Sequence, residues 1–260
     1  MEDMYSSFAS VYDRLMDNIP YDEWTDYLTK LLKKYHISDG LVAELGCGTG
    51  NITERLAAEG YDMIGIDNSA EMLDIAQEKK AASNSSSLYL CQDMREFELY
   101  GTVGAVVSIC DSINYITDEE DVLKVFKLAN NYLDPEGVFI FDFNTLHYYR
   151  DTVGESTIAE DRDDISFIWD NYFDEDTNIN ELSLSLFIKE NSQGTEGSLY
   201  RKHSELHIQK AYTLETIKSL IEESGMRFIA AYNAFTEDAP DDESDRIYVI
   251  AQECGKSNQN

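Results

Sequence analysis

Apolar residues at Trp24, Tyr27, Leu28, Leu31, Leu32 and Tyr35 recur at helical spacing and predict an amphipathic helix over 21–35. The run LVAEL at 41–45 then reads as a buried strand, and a glycine-rich turn beyond it opens a helix near Asn51. The strand DMIGID at 62–67, a helix from Glu71 to about Lys80 and the strand SLYLC at 87–91 continue the alternation. From Gly104 to Cys110 the chain is continuously apolar or small, as a strand covered on both faces requires. Thr117 with Glu120 has the form of a capping box for a helix whose inner stripe is Val122, Val125, Phe126 and Ala129. Asp134 to Gly137 turns the chain into a further strand, GVFIFD. Successive βα units of this kind predict a mostly parallel sheet with right-handed crossovers.

After Asn144 the period changes to two. Ile165, Phe167 and Trp169, then Leu182, Leu184, Leu186 and Ile188, then Leu206 and Ile208 alternate with polar residues, which predicts an antiparallel sheet inserted into the α/β fold. Thr213 is an N-cap for a helix carrying Leu214, Ile217, Leu220 and Ile221, and Gly225 ends it. Two strands, RFIAAYNAF and RIYVIAQ, complete the fold, joined by an acidic loop, TEDAPDDESD, that is expected to be mobile. The expected division of one domain over 1–260 is a leading helical segment at 1–36, a core at 37–143, the inserted sheet at 144–211, a final helix and strands at 212–254, and a disordered tail at 255–260.

The chemistry concentrates at strand ends. In VAELGCGTGN, Gly46, Gly48 and Gly50 stand at the carboxyl end of the first strand, where missing side chains let backbone approach a ligand. Asp67 ends the second strand about 20 residues later, placed to accept both ribose hydroxyls of an adenosine ligand. A nicotinamide dinucleotide site shares these features, but its third glycine would fall at position 51, which is Asn51. Glu44 also suits a methionine moiety better than a pyrophosphate, because its carboxylate can meet an ammonium or order the loop and would repel phosphates.

These segments resemble the class I S-adenosylmethionine-dependent methyltransferases, with motifs ELGCGTG, GIDNSAEML, CQDMREF and VVSICDSINYI in order over residues 42–142. The resemblance implies a Rossmann-like methyltransferase sheet, mostly parallel with the last strand antiparallel, and S-adenosyl-L-methionine as cofactor. The cofactor site it implies takes Glu44, Gly46, Cys47, Gly48, Gly50 and Asn51 from the first motif. The second adds Asp67 at the ribose with Asn68, and Met72 near the adenine; the third adds Asp93 and Met94 at the adenine. Cys110 and Asp111 lie towards the methionine end. The leading YSSFASVYDRLM is similar to a bacterial small-molecule-type subgroup in which this helix closes over the cofactor, with Tyr5, Phe8 and Tyr12 lining the lid and Tyr12 reaching the methionine carboxylate. These aromatics are equally suited to hydrophobic packing.

Charge narrows the acceptor. Lys plus Arg number 20 against 51 acidic residues, a net charge of −31, which argues against nucleic acid or an anionic membrane as partner. A small neutral or cationic acceptor suits it; a merely solvated acidic surface would look the same. The four cysteines show no metal-ligand spacing and read as reduced thiols, and no metal site is expected. With no apolar run of about 18 residues and no leader pattern, the expected location is cytoplasmic.

Methyl transfer from a sulfonium needs a positioned acceptor and, where the acceptor is protonated, a base. Asp111, His207 and Tyr212 are the candidate catalytic residues, with Glu205 beside them. Arg201, His203, Glu205, His207 and Gln209 share one strand face, opposite Leu206 and Ile208, and the inserted sheet is expected to supply the acceptor side of the site. His207 reads equally as a structural histidine. The rival functions are a non-catalytic sensor of the cofactor and a nicotinamide-dependent oxidoreductase, the latter set back by Asn51 and Glu44.

Overall fold

The computed structural model describes residues 6–190 and 198–256. Two helices, α1 (Ser6–Leu15) and α2 (Tyr21–Lys34), precede the alternating units β1 (Gly40–Leu45), α3 (Asn51–Ala58), β2 (Tyr61–Asp67), α4 (Ala70–Ser83) and β3 (Leu88–Cys91). Then come β4 (Val103–Ser108), α5 (Glu119–Tyr132) and β5 (Leu133–Asn144). Four strands form the insertion, β6 (Ser156–Asp161), β7 (Ile165–Asp174), β8 (Ile179–Lys189) and β9 (Tyr200–Lys210). The chain ends in α6 (Leu214–Glu223), β10 (Met226–Asn233) and β11 (Arg246–Glu253).

The central sheet has the order β10-β11-β5-β4-β1-β2-β3, with β11 antiparallel to both its neighbours. Alternation along β1 explains the layering. Val42 packs with Leu28, Leu31, Ile52 and Leu56 under α2 and α3, whereas Ala43 and Leu45 join Val122, Phe126, Ile217 and Ile221 under α5 and α6. Strand order reverses between β1 and β4, and ligands of open α/β sheets bind outside the carboxyl ends of the strands at such a switch point.

The second sheet, β6-β7-β8-β9, is wholly antiparallel. Ile165, Leu184 and Leu186 bury their side chains against Val11 of α1, and Arg162 reaches Asp17 at 3.2 Å. The leading helix is therefore fastened to the inserted sheet. No helix among the described residues is long and apolar enough to cross a membrane.

Local detail adds to the sequence pattern and in one place corrects it. Asp118, not Thr117, caps α5, its carboxylate accepting from the Glu120 amide at 2.8 Å. The acidic loop has two anchoring contacts: Lys34 pairs with Glu237 at 2.7 Å, and the buried Ser244 offers its carbonyl to Thr145 at 2.7 Å. The insertion also has a strand, β6, that no apolar period announces, because it is almost wholly exposed. Tyr5, the Phe8 side chain and tail residues 257–260 lie outside the described residues.

Candidate active site

A partly open cleft lies at the carboxyl ends of β1 and β4, lined by Tyr12, Tyr21, Glu44, Gly46, Cys47, Gly48, Thr49, Asn51, Ile52, Ile109 and Cys110. The first motif and the leading helix thus line one cleft. The three glycines serve different needs. A Cβ on Gly46 would stand 2.5 Å from Ser112 Oγ, and one on Gly50 would strike the Tyr89 hydroxyl, so those positions are emptied by protein packing. At Gly48 (φ 52°) a Cβ would meet no protein atom within 4 Å, which leaves its surroundings open to a ligand.

Asp67 is tied to the same loop. Its Oδ2 accepts from the Gly48 amide at 2.8 Å and its Oδ1 from the Ser69 amide at 2.9 Å. Burial raises its carboxyl pKa while these amides pull it down. Each oxygen retains acceptor capacity beyond its one backbone partner. Glu44 is fully buried behind the loop, its carboxyl pushed up to about 8 by desolvation, with the Thr53 hydroxyl donating to Oε2. Burial also drives the Tyr12 phenol and the Cys47 and Cys110 thiols upwards, so all three stay protonated at neutral pH. Met72 sits in the first turn of α4 and Met94 packs against the core. Asn68 presents its carbonyl to the Cys91 thiol at 3.8 Å.

Several predicted residues already have protein partners. Asn51 and Thr49 donate to Asp13 of α1 at 2.8 and 2.7 Å, and Lys79 of α4 reaches Asp13 at 2.7 Å and Asn51 Oδ1 at 2.8 Å. Asn51 therefore fastens the leading helix as well as lining the cleft. Asp93 is gripped by Arg95 through both backbone and side chain, which holds its carboxyl below the usual range. Asp111 accepts from Arg246 and from Gln209 Nε2, each at 2.8 Å. Tyr212 is a correction: it is 1% exposed within the core, and its hydroxyl donates to the Ile116 carbonyl, so the acceptor side gains nothing from it.

Three further residues belong to the site without a motif to mark them. Asp13 has no local signal, since its partners are 36 to 66 residues away. Asp142 and Arg246 are the others. Asp142, fully buried at the end of β5, accepts from the Cys110 and Asp111 amides at 3.2 and 2.8 Å and from Arg246 at 2.7 Å. Cys110 and Asp111 both hold positive φ, 61° and 52°, and Asp142 braces that turn. An acidic residue closing the apolar run GVFIFD is the one clue the sequence offers.

On the insertion side, β9 turns its odd-numbered face inward. Its pairs are Leu186 with His203, Leu184 with Glu205, Leu182 with His207 and Asn180 with Gln209. The expected apolar face is the exposed one, Leu206 being 59% exposed. Tyr115, from the 3-10 turn Ser112–Tyr115 after β4, sets its hydroxyl 3.2 Å from His207 Nδ1 with the rings edge to face. His207 Nε2 lies 3.3 Å from Glu205 Oε2.

A family model described as a methyltransferase domain matches residues 42–137. The YqeM protein of Bacillus subtilis (strain 168), named as a methyltransferase, is 35% identical over 252 residues, covering 96% of this chain and 97% of its own. A crystal structure of an S-adenosylmethionine-dependent methyltransferase from Clostridium acetobutylicum superposes with a TM-score of 0.84 at 26% identity, covering 97% of this chain and 100% of that one. CalS10 from Micromonospora echinaspora, an amino pentose methyltransferase solved with its cofactor, shares the fold with a TM-score of 0.73 at 14% identity over 94% of this chain and 97% of that one.

Proposed function

The chain belongs to the class I S-adenosylmethionine-dependent methyltransferases, and from that premise we propose that it methylates a small, neutral or cationic acceptor held between the central sheet and the inserted sheet. Its cofactor is S-adenosylmethionine, which when bound supplies a methyl group on a sulfonium whose leaving thioether needs no proton. The observation that carries the reading is the Gly48–Asp67 pairing beside open space at the switch point. Two backbone amides fix the Asp67 carboxylate, and its remaining acceptor capacity suits two ribose hydroxyls.

Around it, Asn68, Met72, Asp93 and Met94 would border the adenine and ribose; Glu44 would meet the ammonium or order the loop, and Tyr12 would reach the carboxylate. Cys110 and Asp111 would face the methyl end. Asp111, committed to Arg246 and Gln209, would orient groups rather than take a proton. His207, its ring set between Tyr115 and Glu205, would border the body of the acceptor rather than its reacting atom. A small acceptor is supported by the shared fold of CalS10, named for an amino pentose, and a polyanionic one is opposed by the charge of −31.

Thermal unfolding and calorimetry test this. S-adenosylhomocysteine is expected to raise the melting temperature and NAD to leave it unchanged, because a ligand that binds only the folded state stabilises it by mass action. Asp67→Ala is expected to weaken S-adenosylhomocysteine binding by about 1.5–3 kcal/mol, the cost of hydrogen bonds to a charged group. Wild-type affinity in a folded Asp67→Ala protein would remove the ribose role.

A further inference from the structure

Strand β9 inverts the usual division between sheet faces. Leu206 is 59% exposed, while the neighbouring Glu205 keeps only 5% of its side chain exposed. Strand alternation puts Glu205 on the inward face with His207 and Gln209, and register sets it opposite the buried Leu184. A carboxylate withdrawn from water is costly unless it gains donors. Neither Glu205 oxygen accepts a hydrogen bond from any described residue. His207 Nε2 lies 3.3 Å from one of them, and a single imidazole N–H serves at most one of roughly four acceptor positions on a carboxylate.

The row leads to the methyl end of the cleft. Gln209 donates to Asp111, and Asp111 adjoins Cys110, which lines the cleft. Glu205 stands four residues back along β9, about 13 Å from Gln209 at the rise of a strand. It is therefore too far along the row to be the group beside the reacting methyl.

We infer that Glu205 anchors a cationic group at the distal end of the methyl acceptor. The acceptor is then a small molecule with a nucleophilic atom at one end and an ammonium or guanidinium roughly 10 to 13 Å away, the span of that row. Such a cation brings three to five N–H donors to a carboxylate that lacks them. The net charge of −31 draws the same class of molecule towards the protein. This inference rests on the methyltransferase reading above and specifies its substrate class. Glu205 acts here as a positioning residue.

The test uses the full chain, methyl-labelled S-adenosylmethionine and a small-molecule cell extract. Labelled products are resolved from unreacted cofactor by reversed-phase chromatography and passed over a cation exchanger at pH 7. The expected result is label in the retained fraction. Glu205→Gln, which keeps shape and removes the charge, is expected to raise KM for the retained acceptor ten- to hundredfold, roughly the worth of charged hydrogen bonds, with S-adenosylhomocysteine affinity unchanged by calorimetry. Glu205→Asp is expected to recover part of that loss, which a merely structural side chain would not do. Label confined to the unretained fraction, or an unchanged KM in Glu205→Gln, overturns the inference while leaving the methyltransferase reading intact. Label in neither fraction, from protein that binds S-adenosylhomocysteine, overturns the small-acceptor reading and this inference with it.

Discussion

Glu44 is a carboxyl behind the glycine loop that burial pushes up to about 8, against a hydroxyl donated by Thr53. The unfolded chain releases the same proton near the ordinary glutamate value of about 4.3. Between those two values the folded state binds more protons, so stability falls as pH rises through that window and this contribution is gone above about 8. Burial pushes Asp67 and Asp142 in the same direction, so the useful measurement is a difference. In denaturant unfolding at pH 5, 6, 7 and 8, wild type is expected to lose stability faster than Glu44→Gln, by up to about 1.4 kcal/mol per pH unit. Parallel slopes would place the Glu44 proton elsewhere. Residues of this kind are legible in the sequence because strand ends and glycine spacing mark them directly, as at Gly48 and Asp67. Asp13, Asp142 and Arg246 are not, because each draws its meaning from partners that only the folded chain supplies.

Among the elements, period identifies what burial dictates. Strands β1, β4 and β5 are covered on both faces and read as apolar runs, and β7 and β8 show the alternation of a half-covered sheet. Strand β6 has no covered face and leaves no pattern. On β9 the polar residues take the covered side, so alternation is visible while its direction is not. The leading helix shows a further limit: its attachment to the glycine loop and α4 is polar and runs through Asp13. Burial raises that carboxyl, but hydrogen bonds from Lys79, Thr49 and Asn51 outweigh it and hold the pKa below the usual range. The stabilisation is therefore present above the ordinary aspartate range and lost as pH falls through the lowered value. With Asp13 about one third exposed, Asp13→Ala is expected to cost about 1 kcal/mol after solvent screening, near a fivefold rise in hydrogen exchange along α1. Exchange in α5 and α6 is expected to stay at the wild-type rate; equal acceleration everywhere would show that Asp13 supports the whole fold instead of one helix.

Across the whole molecule, one chain of polar contacts joins the two sheets at the site. Gln209 of β9 donates to Asp111 after β4; Arg246 of β11 bridges Asp111 and Asp142 of β5 at 2.8 and 2.7 Å, and lies 5.3 Å from the Trp24 ring of α2. The same Asp142 carboxylate holds the amides of Cys110 and Asp111, two residues in the costly left-handed region. Asp142 is wholly buried, so its ion pair matters less as attraction than as compensation for a charge that has left water. Arg246→Met fills the same space and removes that compensation, and is expected to cost about 3–5 kcal/mol, the usual effect of stripping one partner from a buried pair. For a chain of this size that is a fall in melting temperature of roughly 10 °C. Removing both charges tests whether the pair acts as a unit: in Asp142→Asn with Arg246→Met, the amide can still accept from one of the two amides and the fully buried charge is gone, while Asp111 keeps Gln209 as a donor. The double variant is therefore expected to be more stable than Arg246→Met alone, with a coupling of about 1–3 kcal/mol between the sites. Losses that simply add would mean that the two residues stabilise separate regions of the central sheet.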